Sequence, residues 1–118
     1  MNQLSKMKLA IPTKGTKGLD DVVSDVFGKA RSFTLVEVVE GLVTGVEIVS
    51  NPAAKYRHGA GPITIKTLTE KGVTAVAARE LGLGASTLLE QNNIARYKVK
   101  AGIPVKEAVA VILKEVKA

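Results

Sequence analysis

Hydrophobic and polar positions follow two different periods along the chain, and each change of period marks a new element. Residues 8–11 form a short apolar run that Pro12 closes, and a basic loop with two glycines follows over residues 13–18. An apolar run of this length beside turn residues is typical of a buried strand. Residues 33–39 and 42–49 are apolar and β-branched on either side of a Glu-Gly turn, so they predict an antiparallel hairpin.

The next part of the chain alternates between helical and strand patterns. A helix is expected to begin at Pro62, whose missing N–H suits the start of a helix, and to end at Gly72. Residues 73–78 are apolar without alternation, as in a strand that is buried on both faces. A second helix over residues 85–92 is expected to stop at its terminal asparagine pair, because asparagine tolerates the left-handed conformation.

The last two elements carry the clearest periods. Residues 94–100 alternate strictly, which predicts a strand with one buried face and one solvated face that carries Arg96, Lys98 and Lys100. From Pro104 onward the apolar positions follow the spacing of an amphipathic helix. The order is therefore β-β-β-α-β-α-β-α, which predicts one α/β domain with a mixed sheet and right-handed crossovers.

Composition narrows the kinds of site that the chain can build. It has no cysteine and a single histidine, His58, which excludes disulfides, thiolate metal sites, cysteine nucleophiles and a cage of several histidines. Seventeen Lys and Arg residues against eleven Asp and Glu give a net charge of +6, which favours anionic partners. No apolar run approaches the roughly 20 residues that span a bilayer, and no secretory signal is evident. We therefore expect a cytoplasmic protein without membrane contact.

Loops next to predicted helix starts are the candidate binding regions. Ligands of open α/β sheets gather beyond the carboxyl ends of the parallel strands, where helix N-termini meet the connecting loops. Four loops are expected at that edge, over residues 13–18, 55–61, 79–86 and 101–104. Their glycines allow backbone N–H groups to approach an anion closely. Neither a P-loop nor a G-x-G-x-x-G segment is present, so nucleotide binding lacks its usual signatures.

Two sets of charged residues leave other functions open. Asp20, Asp21 and Asp25 could hold a divalent cation or act as acid and base, or they could be turn formers and helix caps. The basic face of the last strand could contact phosphates, or it could keep a sheet edge from aggregating. The basic face leaves a nucleic-acid or protein interaction module open as an alternative. A nuclease or phosphotransfer enzyme is the other alternative, and the fold class alone suggests it.

Several short motifs occur in a fixed order along the chain. They are segments 8–12, 18–21, 23–24, 27–30 and 51–52, Phe33, the H-G-x-G-P segment 58–62 and the loop that contains Gly82. Together they resemble the dinitrogenase iron-molybdenum cofactor biosynthesis family over residues 7–118, with residues 1–6 as a short N-terminal extension. The resemblance implies a ribonuclease H-like fold with a five-stranded mixed sheet and three helices.

The resemblance also implies a function. It indicates a carrier or scaffold, not an enzyme, for an anionic metal-sulfur cluster of the iron-molybdenum or molybdenum-copper type, with a cluster donor or acceptor protein as partner. Nucleic acid is not expected as a partner, and the oligomeric state stays open. Such a cluster brings its own sulfide ligands, so backbone N–H groups, helix dipoles and cationic side chains can hold it without cysteine.

By family position, His58 is the expected metal ligand. The other expected contacts with the cluster are Gly59, Gly61, Thr13, Lys14, Phe27, Gly28, Gly82 and Gly84.

Overall fold

The computed structural model describes residues 6–117 and contains five strands and three α-helices over that range. In chain order they are β1 (Lys6–Thr13), a 3-10 turn (Gly18–Asp20), β2 (Ser32–Val39), β3 (Leu42–Ser50), α1 (Ala60–Glu70), β4 (Ala75–Ala78), α2 (Leu83–Gln91), β5 (Ala95–Lys98) and α3 (Val105–Lys117). The predicted α/β architecture with a five-stranded mixed sheet and three helices is confirmed. The ribonuclease H-like assignment stays a prediction. The predicted extension over residues 1–6 lies outside the described residues, except for Lys6, which begins β1.

One sheet in the order β3-β2-β1-β4-β5 organises the molecule. The hairpin strands β2 and β3 are antiparallel, and β2 also pairs antiparallel with β1. Strands β1, β4 and β5 run parallel, so they end at one edge of the sheet, with Thr13, Ala78 and Lys98 as their last residues. We call this the carboxyl edge. The two outer strands are β3 and β5, and the expectation that the basic strand lies at an edge is confirmed.

Buried side chains form one cluster on each face of the sheet. Leu9 and Ile11 of β1 pack with Ile112 of α3 on one face, whereas Ala10 belongs to the opposite cluster. That second cluster includes Leu68 of α1 and Leu89 of α2. Strand β1 is central and contributes side chains to both clusters. Its side chains are therefore apolar on both faces, which explains its unbroken hydrophobic run.

The prediction that Pro12 closes the first strand is wrong. Strand β1 continues to Thr13, and Pro12 pairs with Phe33 of β2. The Pro12 carbonyl accepts a hydrogen bond from the Ser24 N–H at 2.8 Å. The backbone nitrogen of a strand residue faces the same side as its carbonyl, so the missing N–H of Pro12 removes no bond to β2.

Helices α1 and α2 both begin earlier than predicted, because a glycine serves as the N-cap of each. Helix α1 begins at Ala60 after Gly59, which places Pro62 third, where an N–H would still lack an intrahelical partner. Helix α2 begins at Leu83 after Gly82. Their predicted ends are confirmed, since Gly72 and Asn93 adopt positive φ of 78° and 58° just beyond the C-caps.

The predicted alternation of buried and exposed residues along the last strand is only partly confirmed. Val99 is buried and Tyr97 half-buried, but Ala95, expected on the same buried face, is exposed. Strand β5 is an edge strand, and a cavity of about 240 Å³ opens beside Ala95 and Tyr97, so none of the three described helices covers the start of this face. No helix within residues 6–117 is long and apolar enough to cross a membrane.

Candidate functional site

Two helix N-termini lie on one face at the carboxyl edge of the sheet. Helix α1 precedes β4 and α2 follows it, and both pack in the cluster on the face opposite α3. Since β1, β4 and β5 are parallel, each of these helices runs back against the strands and begins at the carboxyl edge. The predicted convergence of the loops before α1 and α2 at one edge is therefore present.

The first turns of α1 and α2 have no side-chain cap. Neither N-cap, Gly59 or Gly82, provides a side-chain hydrogen bond, and neither first turn contains an acidic residue. A Cβ added at Gly59, Gly61, Gly82 or Gly84 would meet nothing within 4 Å. The N–H groups of these first turns carry partial positive charge. In α2 the residues Gly82, Leu83 and Gly84 are exposed, whereas in α1 Gly59 is exposed, Gly61 is half-buried and Ala60 is buried.

His58 lies one residue before the N-cap of α1, in the loop that follows β3. Its side chain is exposed, and so are those of the neighbouring cations Lys55 and Arg57. The imidazole is thus available at the surface beside the positive end of α1.

Buried polar side chains hold this loop against the connection between β1 and β2. The Asn51 amide donates hydrogen bonds to the carbonyls of Gly28 at 3.0 Å and Ala30 at 2.9 Å. The Asn51 side-chain oxygen accepts the Ala53 N–H at 3.0 Å, which starts the turn towards His58. Thr64 of α1 donates its hydroxyl to the Gly28 carbonyl at 2.7 Å. Three separate segments therefore meet at Gly28.

The structure brings Gly28 and Gly61 into contact. A Cβ built on Gly28 would lie 3.6 Å from both the N and Cα atoms of Gly61. Two predicted site glycines are thus adjacent at the start of α1, where the backbone of the β1–β2 connection lies against the helix.

Thr13 and Phe27, two other predicted contacts, face the interior. The Thr13 hydroxyl is fully buried and lies 2.9 Å from the Ser32 Oγ and 3.2 Å from the Thr34 Oγ1, which donates to it. Phe27 is 5% exposed and packs edge-to-face on Phe33, with ring centroids 5.3 Å apart. Lys14 is exposed in the loop after β1.

Asp20 and Asp21 make contacts within the fold, whereas Asp25 is exposed. The Asp21 carboxylate is buried and accepts the N–H groups of Lys17 at 3.1 Å and Val22 at 2.8 Å. Asp20 is exposed and pairs with Lys106 of α3 at 3.2 Å. Among residues 6–117, no group of three or more His, Cys, Asp or Glu side chains could hold a metal ion.

The basic strand face is partly committed to internal contacts. The Arg96 guanidinium donates to the Ser86 carbonyl at 3.0 Å and pairs with Glu90 at 3.5 Å, so it braces β5 against α2. Lys98 and Lys100 are exposed.

Asn51 and Thr64 are the residues that sequence reasoning missed. Asn51 entered only as part of the motif segment 51–52, with no structural role, although an asparagine before proline at a turn often bonds its own backbone two residues on. Thr64 is 1% exposed and lies among the apolar positions of α1. The sequence signal for Thr64 is a hydroxyl on the face of the helix that the apolar spacing predicts to be buried. A buried polar group needs a hydrogen-bond partner, so such a residue indicates a specific contact.

Comparisons with known proteins found a matching family and similar chains. A family model for dinitrogenase iron-molybdenum cofactor matches residues 7–115. An uncharacterized protein of Methanocaldococcus jannaschii is 29% identical over 92 residues, which cover 78% of this chain and 74% of that protein.

Two solved structures are similar along most of the chain. The apo form of the orange protein from Desulfovibrio gigas has a TM-score of 0.83 at 25% identity, covering 98% of this chain and 92% of that chain. A candidate NifB protein from Thermotoga has a TM-score of 0.75 at 31% identity, covering 92% of this chain and 88% of that chain.

Proposed function

The chain belongs to the dinitrogenase iron-molybdenum cofactor family, and from this premise we propose that it is a non-enzymatic carrier or scaffold for an anionic metal-sulfur cluster. The cluster is cargo of the iron-molybdenum or molybdenum-copper sulfide type, received from a donor protein and passed to an acceptor. The observation that carries the proposal is the pair of uncapped, glycine-lined helix N-termini on the face where exposed His58 adjoins α1.

The donor set is suited to a guest that brings its own sulfide ligands. The chain has no thiolate and a single histidine, so it offers at most one imidazole to the metal. Free backbone N–H groups at two helix ends supply positive potential and hydrogen bonds to the sulfides. Lys14, Lys55 and Arg57 add positive charge at the same edge.

Each predicted site residue has a distinct role in this proposal. His58 binds a metal atom, and the backbones of Gly59, Gly61, Gly82 and Gly84 contact the anionic sulfides. The interior residues act indirectly: Gly28 supports the start of α1, and Phe27 packs in the same cluster as α1. Thr13 points to the opposite face, where its hydroxyl contacts Ser32 and Thr34 of β2 and holds the end of β1 in place.

Loss of the imidazole tests the metal contact. We expect His58→Ala to lower the affinity for a cluster assembled anaerobically from tetrathiomolybdate and Cu(I) by at least about tenfold, because a metal ligand is removed. The readout is visible absorption with metal and sulfide analysis after gel filtration. Gln91→Ala is the matched control, since Gln91 is also exposed but ends α2 at the far edge of the sheet. Equal uptake by wild type and His58→Ala would contradict the role of His58.

A second variant tests the N-terminus of α2 by a change that should not destabilise the fold. Gly82 has φ −65° and ψ 163°, which any residue adopts, and the space beyond it is open. Asp is a preferred N-cap, so Gly82→Asp is expected to raise the free energy of unfolding by a few tenths of a kcal/mol. The same carboxylate covers the amides and repels an anion, so cluster affinity should fall. Undiminished uptake by Gly82→Asp would remove α2 from the site.

A further inference from the structure

A cavity separate from the N-termini of α1 and α2 lies between the end of β5 and α3. Its volume is about 460 Å³, and its lining comes from the segment after β4, the end of β5 and the outer side of α3. None of the residues proposed above as cluster contacts lines it. The volume is within the range of about 300–1,000 Å³ that small-molecule sites occupy.

The floor of this cavity is apolar. Val99 is buried, Ile103 is half-buried, and Val111 of α3 is 41% exposed although its helix presents mainly polar residues to solvent on that side. Apolar surface that stays in contact with water inside a concave site favours an apolar ligand, which removes that surface from water.

The rim of the cavity is cationic. Arg79, Lys98 and Lys100 line it, and Glu107 is the one acidic residue of the lining. Arg79 pairs with Glu80 at 3.6 Å, but both side chains are more than half exposed, so that pair is weak. Among the described side chains, neither Lys98 nor Lys100 has a carboxylate within 4.0 Å. Although alternation along β5 directs Lys98 and Lys100 away from the face of Val99, β5 is an edge strand, and both lysines line the cavity. Cationic residues that line one concave surface favour an anion.

We propose that this cavity binds a small organic carboxylate with an aromatic or aliphatic body. The body lies on Val99, Ile103 and Val111, and the carboxylate points to the ammonium groups of Lys98 and Lys100. This site uses neither His58 nor the first turns of α1 and α2. The proposal can therefore be tested independently of the proposed cluster binding.

Titration of the full chain with 2-naphthoate, followed by amide NMR shifts, tests this proposal. We expect saturable shifts at Val99, Lys100 and Val111 and none at His58 and Gly59. The cation 2-naphthylmethylammonium has a similar apolar body and the opposite charge, and should bind at least about tenfold more weakly because the rim repels it.

Two variants of α3 locate the ligand. Val111→Glu places a carboxylate in the cavity floor and is expected to weaken 2-naphthoate binding at least about fivefold by like-charge repulsion. Ala110→Glu makes the same charge change at the adjacent exposed position, which does not line the cavity, and should bind like wild type. Replacing Lys98 and Lys100 together by Gln should weaken binding about three- to tenfold.

Three results would overturn the proposal. They are an absence of saturable shifts at the cavity, equal affinity for the naphthyl anion and cation, and equal loss of binding in Val111→Glu and Ala110→Glu. Circular dichroism of each variant checks that the helix is intact, and the Lys98/Lys100 variant keeps the site testable if Val111→Glu unfolds.

Discussion

The Asn51 side chain connects the β1–β2 connection, the loop that contains His58 and helix α1. Its amide bonds two carbonyls of the β1–β2 connection, and its side-chain oxygen starts the turn that leads to His58. The same oxygen lies 3.2 Å from the Thr64 hydroxyl, which links the turn to α1. At the scale of single residues, the position of His58 therefore depends on a buried neutral amide.

Replacing Asn51 by Ala should destabilise the protein by about 2–3 kcal/mol, because it leaves buried carbonyls without donors. Urea denaturation measures the change in the free energy of unfolding. Asn92→Ala is the matched control: its amide bonds only the Leu88 carbonyl within its own helix end at the surface, so the change should stay within about 0.5 kcal/mol. Similar losses in both variants would show that Asn51 does not have this anchoring role.

At the scale of elements, the ends of helices and strands depend on a few residues with left-handed backbone. The turn between β2 and β3 has positive φ at both central residues, 53° at Glu40 and 78° at Gly41. A two-residue turn of this kind matches the twist of a hairpin, but glutamate tolerates the conformation poorly. Gly72 and Asn93 provide the same conformation at the ends of α1 and α2.

We expect Glu40→Asn to stabilise the protein by about 0.5–1 kcal/mol, because asparagine accepts positive φ more readily in this turn. Gly41→Ala in the same turn should destabilise it by about 1 kcal/mol or more, since an L side chain is strained at φ 78°. Thermal unfolding followed by calorimetry gives both values. If Glu40→Asn lowered stability, the carboxylate of Glu40 would have to contribute more than the backbone strain.

At the scale of the whole molecule, one sheet joins two separate hydrophobic clusters. Leu68 is fully buried among residues of the face under α1 and α2, whereas Ile112 is fully buried under α3. The central strand β1 contributes to both clusters, so neither helix layer can be lost without exposing one side of the same strand.

Leu68→Ala and Ile112→Ala should each destabilise the protein by about 2–5 kcal/mol through lost burial and the cavity left behind. The two sites share no cluster, so the double variant should equal the sum within about 0.5 kcal/mol. Denaturation followed in parallel by circular dichroism and tyrosine fluorescence should give coincident transitions for each single variant. Separate transitions would mean that the two faces of the sheet unfold independently.

Local patterns were sufficient to predict most of the fold. The hairpin, the amphipathic helix α3 and the stops at Gly72 and Asn93 follow from side-chain periodicity and backbone conformational preference, which act over a few neighbouring residues. The start of α1 was misplaced because Gly59 is an N-cap without a side-chain signature. The exposure of Ala95 could not be predicted, because the length over which α3 covers β5 depends on tertiary packing.

The sequence by itself determined the chemistry that is available: no thiolate, one imidazole, an excess of cations and the order of the elements. Tertiary structure alone decided which of these groups meet. It brought Gly28 against Gly61, turned Thr13 and Phe27 inward, and joined residues distant in the chain into a cation-rimmed cavity. The reason is that side-chain type and local conformation are encoded over short stretches, whereas proximity and burial arise only when sheet pairing and helix packing close the fold.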